Sequence, residues 1–264
     1  MNYIEFIGTS GTKTPSEGTT CLRVSKTCVI DAGNLIQGVG DELFLIEHIF
    51  LTHSHLDHIV DIAFMADLFV TQKKSPLKIY GLKETLENLR NFIFNHQIWP
   101  NFEEINLINH DAKTIEFIEI HPEHRYPIDG ITLTPFKTNH TDGSCGYLIE
   151  QDGNGILFTS DTYRCKRIWE MMELHPHIHS LIVDVSFPSA YEKLAHDSNH
   201  MTPKILAEEL AGCKRQDFRV FPMHLKFLFK TTIKDELNEL GIFERGGHIL
   251  ESYECLAYDP RNSA

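Results

Sequence analysis

Residues 53–58 read His-Ser-His-Leu-Asp-His, three imidazoles and one carboxylate within six consecutive positions. That density is the pattern of a metal-ligand loop. Imidazole and carboxylate donors without thiolate suit Zn²⁺, with Mn²⁺ or Fe as alternatives. The cluster follows the apolar run Ile49-Phe50-Leu51, which reads as a short buried strand, and precedes Ile59 to Val70, which carries helical periodicity. On such a strand-to-helix turn His53 and His55 can face one ion while Asp57 and His58 face a second, so one loop can seed two sites. The same residues could instead cap a helix, with solvated histidines and Asp57 near its start.

His-x-His-x-Asp-His resembles the metallo-β-lactamase superfamily, and His-Ser-His-Leu-Asp-His-Ile is similar to the loop of its class II cyclic-nucleotide phosphodiesterases. Further motifs extend the resemblance over nearly the whole chain. A strand ending in Asp31-Ala32-Gly33 is similar to one that packs beside the metal loop, which implies a supporting role for Asp31. His140, at a strand end before a Gly-Tyr strand, stands where the superfamily has the third histidine of its first site. Ser160-Asp161-Thr162 resembles the motif whose aspartate bridges two ions, and His224-Leu225-Lys226 resembles the His-Ile-Lys that closes the second site. The resemblance therefore implies His53, His55 and His140 on one divalent ion, Asp57, His58 and His224 on the other, and Asp161 between them.

Two more segments imply chemistry on a phosphodiester. Val183-Asp184-Val185-Ser186-Phe187 resembles the His-Glu-Ala-Thr-Phe of tRNA 3′-processing nucleases, and Asn199-His200-Met201-Thr202-Pro203 resembles both their His-Ser-Thr and the phosphodiesterase Gly-His-Leu-Thr-Pro. In those relatives an acid orients the histidine, which assists departure of the leaving oxygen. Asp184 and His200 inherit those roles by resemblance. Asp57 is a candidate to orient the attacking water, and Lys226, two residues from His224, is a candidate donor to the substrate. Asp stands here for Glu and Asn199 for Gly. Asp61 is a further departure, because the phosphodiesterase signature has a small residue there.

Composition sets the outer bounds. At 264 residues the chain can bury one sizeable core, so one metallohydrolase domain over 1–264 is expected. A net charge of −13 opposes extended nucleic acid, whose binding rests on Lys and Arg neutralising phosphates. The partner expected is a small-molecule phosphodiester, with a homodimer left open. Six cysteines at 21, 28, 145, 165, 213 and 255 form no Cys-x-x-Cys pair and read as core residues in a reducing compartment. No secretory pattern and no apolar run of about 18 residues is visible, so a cytoplasmic protein off the membrane is the expectation.

The elements that must position these residues are legible in part. Strands are expected over 4–8, 21–24, 27–31, 77–81, 115–120, 131–135, 155–162, 181–187, 218–226 and 248–258. Helices are expected over 83–96, 163–173, 203–210 with Thr202 as N-cap, and 233–240 stopped by Gly241. Gly8 to Pro15 reads as a glycine-rich turn, either a plain connection or a phosphate cradle. His175, His177 and His179 read as a solvated connection rather than a metal site. This pattern alone supports α/β layering. The resemblance implies the αββα sandwich, two packed mixed sheets with helices on the outer faces.

Three functions follow as expectations. The first is a dinuclear-metal phosphodiesterase opening a 3′,5′-cyclic nucleotide, cyclic AMP or cyclic GMP, to the 5′-nucleotide. The others are a tRNA 3′-processing endonuclease and a non-catalytic metal-binding member of the fold. The short interval from His140 to Asp161 leaves no room for the long arm with which the nucleases grip tRNA.

Overall fold

The computed structural model describes residues 1–262. The chain runs β1 (Tyr3–Gly8), β2 (Cys21–Arg23), β3 (Cys28–Ile30), α1 (Leu35–Val39), β4 (His48–Phe50), α2 (Leu56–Gln72), β5 (Leu77–Gly81), α3 (Lys83–Phe92) and β6 (Ile115–Glu119). It continues with β7 (Tyr126–Ile128), β8 (Ile131–Lys137), β9 (Cys145–Gln151), β10 (Asn154–Phe158), α4 (Lys166–Leu174), β11 (Ile178–Asp184), α5 (Glu192–Asp197), α6 (Pro203–Gly212), β12 (Arg219–Met223), α7 (Lys230–Glu239) and β13 (Cys255–Ala257). One mixed sheet has the order β13-β1-β2-β3-β4-β5-β6, and a second has β12-β11-β10-β9-β8-β7.

The period-2 alternation of the strands builds the layers. Cys28 and Ile30 of β3, Phe50 of β4, Ile156 and Phe158 of β10 and Ile182 of β11 meet in one buried cluster between the two sheets. Their neighbours point the other way. Val29 and Ile49 join Ile62, Met65 and Phe69 of α2, whereas Leu157, Leu181 and Val183 join Ile168 of α4 and Ile205 of α6. Two sheets face to face with helices outside make the αββα sandwich.

All the strands that lead into the polar cluster run one way. β3 and β4 are parallel. β8 and β10 are each antiparallel to β9, and β10, β11 and β12 are parallel, so these four share a direction. Their C-terminal ends form one rim. Among the described residues no helix is long and apolar enough to cross a membrane.

Several boundaries differ from the sequence expectation. The last strand is confined to Cys255–Ala257, because Gly246, Gly247 and Tyr253 adopt positive φ and turn the chain through 248–254. β7 was not expected; it is a short edge strand, where Pro127 costs no ladder bond. α3 ends at Phe92, four residues early, since the Asn95 side chain accepts from the amides of Gln97 and Ile98 and winds the chain into a turn. α4 starts at Lys166, with Cys165 as its N-cap residue, three residues later than expected. The reading of His175 to His179 as a solvated connection also needs correction. β11 begins at Ile178, and His179 inside it bonds the carbonyl of Tyr258. Five cysteines are buried and free, but Cys255 is exposed.

Candidate metal centre

Each sequence-predicted ligand leaves the rim of a sheet. His53, His55, Asp57 and His58 follow β4, His140 follows β8, Asp161 follows β10 and His224 follows β12. The structure brings all seven together. His53, His55, His140 and Asp161 form one group whose donor atoms lie within 4.8 Å of one another, and Asp57, His58, Asp161 and His224 form a second. Asp161 belongs to both. Its Oδ2 is 3.4 Å from the Nε2 atoms of His58 and His224, and 3.8 Å from those of His53 and His140.

The outer side of four of the five rings is fixed by an oxygen. Nδ1 of His58 donates to Asp31 Oδ2 at 2.7 Å. Asp31 also accepts from the Thr52 amide and hydroxyl, each at 2.8 Å, and that leaves the hydroxyl oxygen facing His53 Nδ1 at 3.0 Å. His140 Nδ1 donates to the Asn199 carbonyl at 3.0 Å. The Ser186 hydroxyl donates to Asp184 Oδ1 and receives His224 Nδ1 at 2.9 Å. With Nδ1 committed to these oxygens, Nε2 is the atom each ring turns toward Asp161. His55 is turned the other way, with Nδ1 lying 3.1 Å from His140 Nε2.

The Nε2 atoms of His53 and His58 are buried and have no hydrogen-bond partner. A buried polar atom without a partner costs about 1–3 kcal/mol. Two such atoms converging on one carboxylate, with oriented imidazoles around it, fit a cation in the donor set; these His and Asp residues are positioned for a metal site.

Electrostatics agree with a cation-binding pocket. Burial pushes His53, His55 and His140 down toward the neutral form a ligand needs. Burial acts the same way on His58, but Asp161 and Asp31 outweigh it and hold that ring well above the usual range. His224 likewise resists burial and is pushed up to about 9 by Asp161, Asp184 and Asp57. Burial opposes ionisation of Asp161, yet His224 and His58 hold its carboxyl well below the usual range. Of the five rings, His58 and His224 are the two that neighbouring carboxylates shift toward the charged form.

Asp184 and His200 form the expected pair. His200 Nδ1 donates to Asp184 Oδ2 at 2.7 Å, and Thr162 N donates to the same oxygen at 3.1 Å. Burial would raise the Asp184 pKa, but His200 beside it keeps the carboxyl well below the usual range. His200 lies over His224, ring centroids 5.3 Å apart and stacked, and 4.9 Å from His140. Thr202 caps α6 by accepting from Ile205 N, which fixes the residues after His200.

Lys226 is placed differently from the ligands. Its Nζ donates to the carbonyl of Gly11 at 2.7 Å. The glycine-rich turn leads into no helix; it lies against the His224 loop, with His224 N bonding Thr9 O at 2.8 Å and Gly11 N bonding Leu225 O at 3.2 Å. A Cβ on Gly11 would come within 2.9 Å of the His224 ring. Asp61 accepts from Ile36 N at 2.8 Å and holds the start of α1, which accounts for a carboxylate where relatives have a small residue. Sequence reasoning missed Thr52, Ser186, Asn199 and Gly11. The signal that could have marked Ser186 and Asn199 is their position one or two residues from Asp184 and His200.

The model of the beta-lactamase superfamily domain matches residues 29–225. A probable 3′,5′-cyclic-nucleotide phosphodiesterase of Yersinia pestis is 25% identical over 177 residues, covering 61% of this chain and 49% of its own length. A ribonuclease Z of Sulfurisphaera tokodaii is 27% identical over 164 residues, covering 57% and 49%. The chain spans about half the length of these curated relatives. Among solved structures, unliganded yeast PDE1 superposes with a TM-score of 0.78 at 18% identity, covering 97% of this chain and 99% of the other.

Proposed function

The chain belongs to the beta-lactamase superfamily, and from that membership we propose that it is a two-metal phosphodiesterase that opens a 3′,5′-cyclic nucleotide to the 5′-nucleotide. His53, His55 and His140 would hold one ion, Asp57, His58 and His224 the other, with Asp161 available to both; Zn²⁺ is the ion proposed, ahead of Mn²⁺ or Fe. Divalent ions bound there would lower the pKa of a water and offset charge on the phosphoryl oxygens. Asp57, less buried than Asp161, is placed to accept a hydrogen bond from the incoming water and orient it. The protein is proposed to work in the cytoplasm.

One observation carries the phosphodiester reading: the hydrogen bond of His200 to the buried Asp184, beside the seven-residue cluster. An alkoxide is a poor leaving group and needs a proton. Asp184 takes Nδ1–H and fixes the ring, so Nε2 is the atom left to deliver a proton to the departing oxygen. Substrates with good leaving groups need no such pair.

The ribonuclease Z similarity supports tRNA 3′-end processing as a second reading. Against it, residues between His140 and Asp161 hold only a turn and the β9–β10 hairpin, and the charge of −13 repels a polyanion. Incubating the metal-replete protein with cyclic AMP, cyclic GMP and a 3′-extended tRNA precursor separates the two. Turnover of the cyclic nucleotides alone is expected; cleavage of the tRNA with neither cyclic nucleotide consumed would reverse the order.

A further inference from the structure

An aromatic wall continues outward from the candidate acid. Phe187 is buried edge-on against His200, ring centroids 5.8 Å apart. Phe229 follows at 6.2 Å from Phe187, and Tyr191 at 5.0 Å from Phe229. Two short 3₁₀ turns carry it, Ser189–Tyr191 and Phe227–Phe229, the second starting just beyond the His224 loop. The inner end is sealed and the outer end open: Phe187 is 9% exposed, Tyr191 47% and Leu228 84%.

Both turns are anchored. The amide and hydroxyl of Ser189 donate to Glu236 of α7, and the Phe227 amide donates to the Thr12 hydroxyl. The wall is thus held in place and begins beside His200, the residue that the proposed function sets against the leaving oxygen. Whatever group carries the leaving oxygen has His200 against that oxygen and, next outward, these rings. Water is a poor neighbour for the open aromatic face, and a flat heterocycle is a good one, worth about 1–3 kcal/mol per stacked base.

We propose that Phe229 and Tyr191, backed by the buried Phe187, form a stacking platform for the nucleobase on the leaving side of the phosphodiester. The inference rests on the phosphodiesterase reading and adds the substrate's second anchor. Of the three rings only Tyr191 carries a polar atom, so the platform selects by ring area rather than by hydrogen-bonding edge. Purines are held better than pyrimidines, and adenine and guanine about equally.

The test is equilibrium binding of adenosine 5′-monophosphate, uridine 5′-monophosphate and inorganic phosphate to the zinc-loaded protein by titration calorimetry. Adenosine monophosphate is expected to bind at least ~10-fold more tightly than phosphate, with the uridine nucleotide between. Tyr191→Ala, at an exposed position, should remove about 5–10-fold of adenosine monophosphate affinity, leave phosphate affinity unchanged and raise KM for cyclic AMP more than it lowers kcat. Tyr191→Phe should restore binding. Equal affinities of nucleotide and phosphate in the unaltered protein would overturn the platform, and so would a Tyr191→Ala loss shared by phosphate. Absence of cyclic-nucleotide hydrolysis with Tyr191-dependent nucleotide binding intact would sink the substrate reading and leave the platform standing.

Discussion

Asp161 offers one carboxylate oxygen to four imidazole nitrogens, so no other single residue is shared by both candidate sites. Asp161→Ala is expected to fall from about two ions per chain to near none and to lose activity. Elemental analysis of the purified variant is the check; full metal content and rate would refute the shared role. His200→Ala should keep its metal content, because its Nδ1 is committed to Asp184, and lose about 10²–10⁴-fold in kcat on a ribose-linked diester. On an aryl diester, whose leaving group needs little help, the loss should be much smaller; equal losses on both would make His200 structural. Metal binding should also release protons, since His58 is held charged in the metal-free chain by Asp161 and Asp31, against burial. Adding Zn²⁺ to chelated protein near pH 7 in weak buffer should liberate roughly one to two protons per chain, and affinity should fall as pH falls. Four of the seven candidate ligands were legible from their density at 53–58, and His140, Asp161 and His224 from their places at strand ends together with the family resemblance. Ser186 was not, because its work is done by a hydroxyl any serine has, on a histidine 38 positions away.

Elements explain where the pattern misled. Residues 163–165 have helical composition but are used otherwise: Tyr163 N donates to the Asn139 carbonyl at 2.9 Å, and the Asn139 side chain donates to Arg164 O at 3.0 Å. Helix is given up there to brace the loop that carries His140. The glycine-rich turn shows the same economy. Gly11 is needed because the His224 backbone and ring leave no room for a Cβ, and Lys226 clamps its carbonyl. Gly11→Ala should displace His224 and weaken the Asp57–His58–His224 group while sparing the His53–His55–His140 group. The expected readout is loss of about one ion per chain with the fold retained by circular dichroism; two ions held as tightly as before would show that the loop yields without cost. α3 braces the other side, with Thr85 bonding Gly143 O and Asn88 bonding Ser54.

At the scale of the whole molecule, the candidate ligands come from the rims of both sheets, so bound ions tie the sandwich together. Chelation should therefore lower Tm by roughly 5–10 °C if the ions are held at about 100 times their Kd, and added Zn²⁺ should restore it. Calorimetry with and without chelator measures the shift; an unchanged Tm in a protein proven to have lost its metal would detach the centre from stability. The layering itself was legible only through family resemblance, because alternating strands fit any sheet with two buried faces. What periodicity could not convey is that β13 crosses back to pair with β1 of the first sheet. The wide separation of the ligands along the chain also sets a clock. Asp57 and His224 stand 167 positions apart, so at about 5–20 residues per second roughly 8–30 s of synthesis separate them. Until His224 emerges, a nascent chain has six of the seven candidate ligands, and the group of Asp57, His58 and Asp161 still lacks its closing imidazole. Any ion taken up by the group that His224 completes would therefore be captured late in synthesis, after the His53–His55–His140–Asp161 group already exists in the chain.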